Sequence, residues 1–297
     1  MKFEFNFVVK LILPCLLLFL SLQLSAQNES KQMLVDKYLK IDKVSDRILI
    51  VGSGSYYYTA VVGVITEKGI VCIDAGIAPE FTAHYREVLA KEFKRNDFKY
   101  LINTHGHYDH TAGNQAFNDV PIIAHENCKN DIVEFWNDTT RANKFVYKAK
   151  ERLHNRQSEY EPNSEWWNFY ESLLLQNSSL MKSLEMDFKY VYPSITFSDR
   201  MDLRLGDVTF QLIYFGKAHT SSDIMIYIPE EKTLLVGDLF DKGGEPDFDI
   251  TNTKNAQRWY QVMDYVMKLK IEKVIYGHGL VFNKNDLDLF NTNIRKN

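Results

Sequence analysis

Cysteine is scarce: three residues in 297, at Cys15, Cys72 and Cys128. That excludes a scaffold stapled by disulfides. A basic run is also lacking. The 35 Lys and Arg nearly balance the 39 Asp and Glu, for a net charge of −4, so a nucleic-acid partner is not expected. Internal repeats and low-complexity linkers are absent. The longest apolar run is about fourteen residues and lies at the N-terminus, short of the roughly twenty that cross a bilayer. What is present is a 45% apolar composition, enough for a sizeable core in one large domain or two small ones.

Lys2 and Lys10 flank a polar start, "LILPCLLLFLSLQL" follows, and Ser25-Ala26 closes the segment. A basic start, an apolar middle and small residues before a cut are the layout of a secretory signal peptide. We expect residues 1–26 to be removed near Ala26-Gln27. The remaining domain, 27–297, would then be exported, periplasmic or secreted, with no stable membrane span. Cys15 does not suit lipid attachment, because Pro14 precedes it where a small residue is expected. Cys72 and Cys128 are expected as free, buried thiols.

Thr59–Thr66 and Ile70–Asp74 are rich in β-branched residues and flank the turn "EKG", which reads as a hairpin. "PEFTAHYREVLAKEFK" has helical spacing with Pro79 at its start. "YLINT" and "VPIIAH" read as short buried strands, and "TAGNQAF" as the start of a helix. The β-α-β-α-β order indicates a layered α/β domain. From about 126 to 192 the texture turns helical, with breaks near Asn137-Asp138 and Pro162-Asn163. Strands return in "MDLRLG", "VTFQLIYFG" and "DIMIYIPEEKTLLVGDLF", then a helix at about 254–270, the strand "KVIYGHG" and a helical tail. Two strand-rich halves thus enclose a helical insert.

Between those strands lies "NTHGHYDHTAGN", where His105 to His110 hold three histidines and an aspartate. Such crowding costs solvation unless a cation neutralises it. His105 and His107 are two apart and point the same way on an extended chain. Asp109 and His110 come as the chain bends into a helix, so they can face a second point. "FGKAHTSSD", "LLVGDLF" and "VIYGHGL" add His219, Asp238 and His278 after later strands. Imidazole nitrogen and carboxylate oxygen are natural zinc ligands. Sharing the seven gives one metal His105, His107 and His219, and the other Asp109, His110 and His278, with Asp238 able to bridge. His84, His125 and His154 stand apart and read as surface or hydrogen-bonded core residues.

This pattern, His-x-His-x-Asp-His followed by a His, an Asp and a His on successive strand ends, resembles the metallo-β-lactamase superfamily over roughly residues 46–285. The resemblance implies an αββα sandwich, two facing sheets with helices outside, holding two Zn2+ per chain in a cleft at one edge. It implies hydrolysis by metal-bound hydroxide, with Asp109 the catalytic residue that orients it. The two zinc ions, two aspartates and a hydroxide leave a formal charge of roughly +1, which favours anionic small-molecule substrates.

Departures from the family's branches bear on the substrate. One subclass of zinc β-lactamases has Cys where Asp238 stands and a Lys three residues later. Here Leu239, Phe240 and Asp241 follow Asp238, and Lys242 comes one position too late. A bridging Asp resembles the hydroxyacylglutathione hydrolase, lactonase and sulfatase branches. Only nineteen residues follow His278, too few for the further helical domain of the first of these. The leading expectation is therefore an ester, lactone, thioester or similar bond. A β-lactamase is the alternative, and an iron-dependent redox member a second, although the diiron flavoprotein branch has Glu at the position of His107. Tyr56, Tyr57 and Tyr58 sit in a hairpin loop where this family often shapes its pocket, and are candidate pocket residues. Trp136, Trp166 and Trp167 could cover an apolar part of a substrate, but aromatic residues at helical spacing mostly pack within their own helices, and that reading is preferred.

Overall fold

A computed structural model describes residues 36–54, 59–186, 188–240, 245–249 and 253–296. Residues 1–26, read above as a signal peptide, and Tyr56–Tyr58 lie outside the described residues. Lys40–Asn297 form one compact unit.

The first sheet has seven strands in sequence order: Leu39–Lys43 (β1), Ile48–Ser53 (β2), Ala60–Thr66 (β3), Gly69–Ile73 (β4), Phe98–Ile102 (β5), Ile122–His125 (β6) and Ile195–Phe197 (β7). The pairings β2–β3 and β3–β4 are antiparallel, and β4–β5, β5–β6 and β6–β7 are parallel. The second sheet contains Arg200–Leu205 (β8), Val208–Tyr214 (β9), Ile224–Ile228 (β10), Thr233–Leu235 (β11), Lys273–Ile275 (β12) and Val281–Asn283 (β13), ordered β13-β12-β11-β10-β9-β8.

The sheets face each other because their side chains alternate with the two-residue period of a strand. Ile224, Ile226 and Ile228 join Val62, Val64, Val71, Ile73, Ile102 and Ile123 in one core between the sheets. Met225 and Tyr227 point the other way, onto Trp259, Val262, Met263 and Phe290. The last four residues belong to the outer helices Thr253–Val266 and Lys284–Ile294. Each fully buried apolar side chain of this kind stabilises by about 1.5–3 kcal/mol. Cys72 and Cys128 are free and buried, and burial pushes both thiols well up.

The remaining helices are Pro79–Phe93 (α1), the four-residue Tyr108–Thr111 (α2), Cys128–Trp136 (α3), Thr139–Gln157 (α4) and Glu165–Met186 (α5); the outer pair just described are α6 and α7. The segment read as a helix start, "TAGNQAF", is instead a 3-10 turn over Ala112–Phe117 following α2. Helix α6 ends at Val266, short of the expected 270, where turn bonds from Lys268 and Leu269 lead into β12. Helices α3 to α5 stand between β6 and β7 and are tied to the first half of the chain. Thr59 Oγ1 donates to Gln176 Oε1 at 3.2 Å, and Ser179 Oγ to Glu80 Oε2 at 3.1 Å.

Candidate metal centre

The apolar strands β4, β5, β11 and β12 deliver polar residues at their C-terminal ends, and those ends meet at one rim of the sandwich. β5 runs out through Asn103 and Thr104 into His105. His107 then sits in extended backbone and precedes α2, so Asp109 and His110 turn away from it on the first helical turn. Gly106 allows this turn to press on α3: a Cβ there would lie 2.4 Å from Asp131 Cβ.

The structure brings all seven predicted donors together. Ligand atoms of His105, His107, His219 and Asp238 cluster within 4.8 Å of one another, and so do those of Asp109, His110 and His278. Asp238 Oδ2 lies between the groups: 2.9 Å from His278 Nε2, 3.3 Å from His110 Nε2, and 3.8 Å from both His105 Nε2 and His219 Nε2. His219 Nε2 and His107 Nδ1 are 3.0 Å apart.

Anchoring on the far side aims these nitrogens inward. Asp74 follows β4 directly with φ of 56°, a left-handed conformation that Asp tolerates. Its carboxylate accepts from Thr104 N and from Thr104 Oγ1, both at 2.7 Å, and faces His110 Nδ1 at 3.0 Å. Having given its proton to Asp74, the Thr104 hydroxyl can accept from His105 Nδ1–H, 3.0 Å away. His219 Nδ1–H donates to the Asp247 carbonyl at 2.9 Å. His105, His110 and His219 are thereby each held through Nδ1 and present Nε2 to the centre, the arrangement of outer partners that fixes metal-binding imidazoles.

These groups fit a bound cation. His105 Nε2, His110 Nε2 and Asp238 Oδ1 are buried with no hydrogen-bond partner, which is costly unless a cation takes their lone pairs. The space is shaped to keep Asp238 in place, since a Cβ on Gly277 would stand 2.2 Å from Asp238 Oδ1. Nitrogen and carboxylate donors of this kind suit zinc.

The charges of the protein groups are set by one another. Burial, followed by the charge of His110, holds His105 well below the usual histidine range. Burial likewise lowers His107, against the pull of Asp109. For His110 burial works against the cation, but the carboxylates of Asp238, Asp109 and Asp74 outweigh it and raise its pKa well up. Burial would raise Asp238, yet the charge of His110 and the hydrogen bond of His278 hold it well below the carboxylate range.

Several residues with a part here carried no sequence signal of their own. Asp74 was only the end of a strand. Asp131 accepts from the hydroxyls of Ser221 and Ser222, each at 2.5 Å, and so joins α3 to the loop that carries His219. The acid following "GIVCI" is the one feature that could have flagged Asp74, because an apolar strand rarely ends in a buried, unpaired carboxylate.

Of the tryptophans, Trp136 packs within the insert, against Phe135, Phe188 and Tyr190. Trp166 stacks on Tyr160 at 6.1 Å. His125 is a core residue, its Nε2 2.8 Å from the Ser198 carbonyl and its ring stacked on Tyr214. Among the described residues no helix is long and apolar enough to cross a membrane.

A family model described as the metallo-beta-lactamase superfamily matches residues 54–278. A "Metallo-beta-lactamase type 2" of Elizabethkingia meningoseptica is 21% identical over 249 residues, 81% of this chain and 78% of its own length. The 2,4-dinitroanisole O-demethylase subunit alpha of Nocardioides sp. (strain JS1661) is 20% identical over 240 residues, 80% of this chain and 56% of its own length. Among solved structures, a metallo-beta-lactamase from Pontibacter korlensis superposes with a TM-score of 0.55 at 18% identity, covering 87% of this chain and all of the other. That likeness is one of fold: two mixed sheets face to face with helices outside.

Proposed function

The chain belongs to the metallo-β-lactamase superfamily, and on that premise we propose that it is an exported, binuclear zinc hydrolase of an ester, lactone, thioester or similar bond. Metal-dependent hydrolysis follows from the family; the number of ions, their identity, the bond class and the export are our reading. The observation that carries it is the convergence of seven His and Asp donors, among which the buried His105 Nε2, His110 Nε2 and Asp238 Oδ1 have no hydrogen-bond partner.

His105, His107 and His219 would hold one ion, and Asp109, His110 and His278 the other, with Asp238 reaching both. Bound there, zinc supplies Lewis acidity and lowers the pKa of a coordinated water towards ~7. The chain's own groups do the rest. Asp109 keeps a carboxylate at the mouth of the site, where it can accept a hydrogen bond from the attacking water and orient it. Thr104 and Asp74 keep His105 and His110 in the tautomer that leaves Nε2 unprotonated. Export is supported by the charge and hydropathy pattern of residues 1–26.

Metal analysis of purified protein tests the reading first. Two zinc ions per chain are expected, and one iron per chain would exclude it. A screen of lactones, thioesters, phosphoesters and sulfate esters with zinc-loaded enzyme then identifies the bond. Asp109→Ala should lower kcat/KM on any substrate found by about a hundredfold or more; unchanged turnover would refute the role given to Asp109.

Hydrolysis of β-lactams is the second reading, favoured by the names of the relatives. Asp238 where one subclass of zinc β-lactamases has Cys, and Lys242 one position too late for that subclass's Lys, count against it. Nitrocefin turnover by micromolar enzyme would establish it, and no turnover would reject it.

A further inference from the structure

A cavity of about 380 Å³ opens beside the donors, lined by His107, Tyr108, Asp109, Phe135, Arg141 and Phe145. Two of these are donors. The others come from α2 and from the insert helices α3 and α4. The three rings form an apolar corner: Tyr108 stacks on Phe135 at 4.9 Å, and Phe145 stands edge-on to both at 5.7 Å. Phe145 is nonetheless 41% exposed, an apolar surface at the edge of a polar site. Arg141 lies one helical turn before Phe145, on the same face of α4. Its backbone N–H is taken by Asp138. Its exposed guanidinium has no hydrogen-bond or ion-pair partner among the described residues.

An unpaired guanidinium beside an apolar corner is complementary to an oxyanion carried on an apolar body. The planar fork of Arg matches a carboxylate with two parallel hydrogen bonds. We propose that the helical insert builds a specificity subsite, in which Arg141 receives a carboxylate of the substrate whose apolar part lies on Tyr108, Phe135 and Phe145. The inference rests on the reading of the seven donors as the hydrolytic centre, because the same cavity reaches His107 and Asp109. It names the substrate class: an amphipathic carboxylate with its scissile bond turned toward those two residues. It also gives the insert a role that the donors do not require.

The test is binding by the full chain, stripped with chelator so that metal cannot attract the anion. 4-Phenylbutyrate and its neutral isostere 4-phenylbutyramide are titrated calorimetrically. Wild type is expected to prefer the carboxylate about fivefold, as fits a charge-assisted pair at a partly exposed site. Arg141→Gln should abolish the preference, and Arg141→Lys should restore part of it. Phe145→Ala should weaken both ligands alike. Equal affinities in wild type, no measurable binding of either ligand, or a preference that survives Arg141→Gln would each overturn the subsite. None of those outcomes bears on the hydrolase reading, which fails separately, on zinc content and on turnover.

Discussion

Asp74 touches no donor atom that faces the centre, yet it holds three groups at once: the Thr104 amide, the Thr104 hydroxyl and His110 Nδ1. Asp74→Asn keeps the size and removes the charge. Zinc affinity, read by competition with a chromogenic chelator, should fall about 10- to 100-fold, the usual effect of losing an outer partner of a metal ligand. A second expectation follows from His110. Its pKa is raised above the ordinary 6.5 because Asp238, Asp109 and Asp74 outweigh the burial that opposes the cation. Zinc must displace that proton, so its affinity should weaken with falling pH, beginning above 6.5. Stability of the stripped protein has the opposite sign. A raised pKa stabilises the fold below the unfolded value, and that contribution is lost as pH rises through the folded one. Melting of stripped protein should therefore become easier from neutral to alkaline pH; a flat profile would contradict the His110 assignment.

At the scale of elements, the donor set rests on joints between segments distant in sequence. Asp131 on α3 grips Ser221 and Ser222, two and three residues past His219. Asp131→Ala should loosen the His219 loop and leave two hydroxyls without a buried acceptor, costing about 1–3 kcal/mol of stability. Chemical denaturation measures this, and zinc stoichiometry should fall toward one ion as the His219 group weakens first. This scale also shows what the sequence could disclose. The β-branched runs at 59–66 and 70–74 and the apolar "IMIYI" announced strands, because burial on a pleated surface demands those residues. The donors announced themselves by spacing. Short strands did not: Leu39–Lys43, Ile195–Phe197 and Val281–Asn283 carry too few apolar residues to alternate visibly. Asp131 and Arg141 were silent for another reason. On a helix, a charged residue facing a neighbour and one facing water have the same local pattern, and only the folding back of the insert separates them.

Across the whole molecule, the seven donors divide between the sheets. His105, His107, Asp109 and His110 follow β5 of the first, and His219, Asp238 and His278 follow strands of the second. Bound metal should therefore stabilise the entire unit rather than one loop. At a hundredfold excess over Kd, a single site contributes about 2.7 kcal/mol. Chelation should lower Tm as one cooperative transition, and readdition of zinc should restore it; a zinc-independent Tm would show that the donors do not bind metal in the folded state. The split has a temporal consequence as well. A polypeptide leaves a ribosome or a translocation pore amino end first, so the HGHYDH hexad emerges well ahead of its three later counterparts. Until His278 has followed, the early imidazoles can capture a stray ion only loosely. Selection of the correct cation therefore belongs to the end of synthesis or transit, in whatever compartment then surrounds the chain.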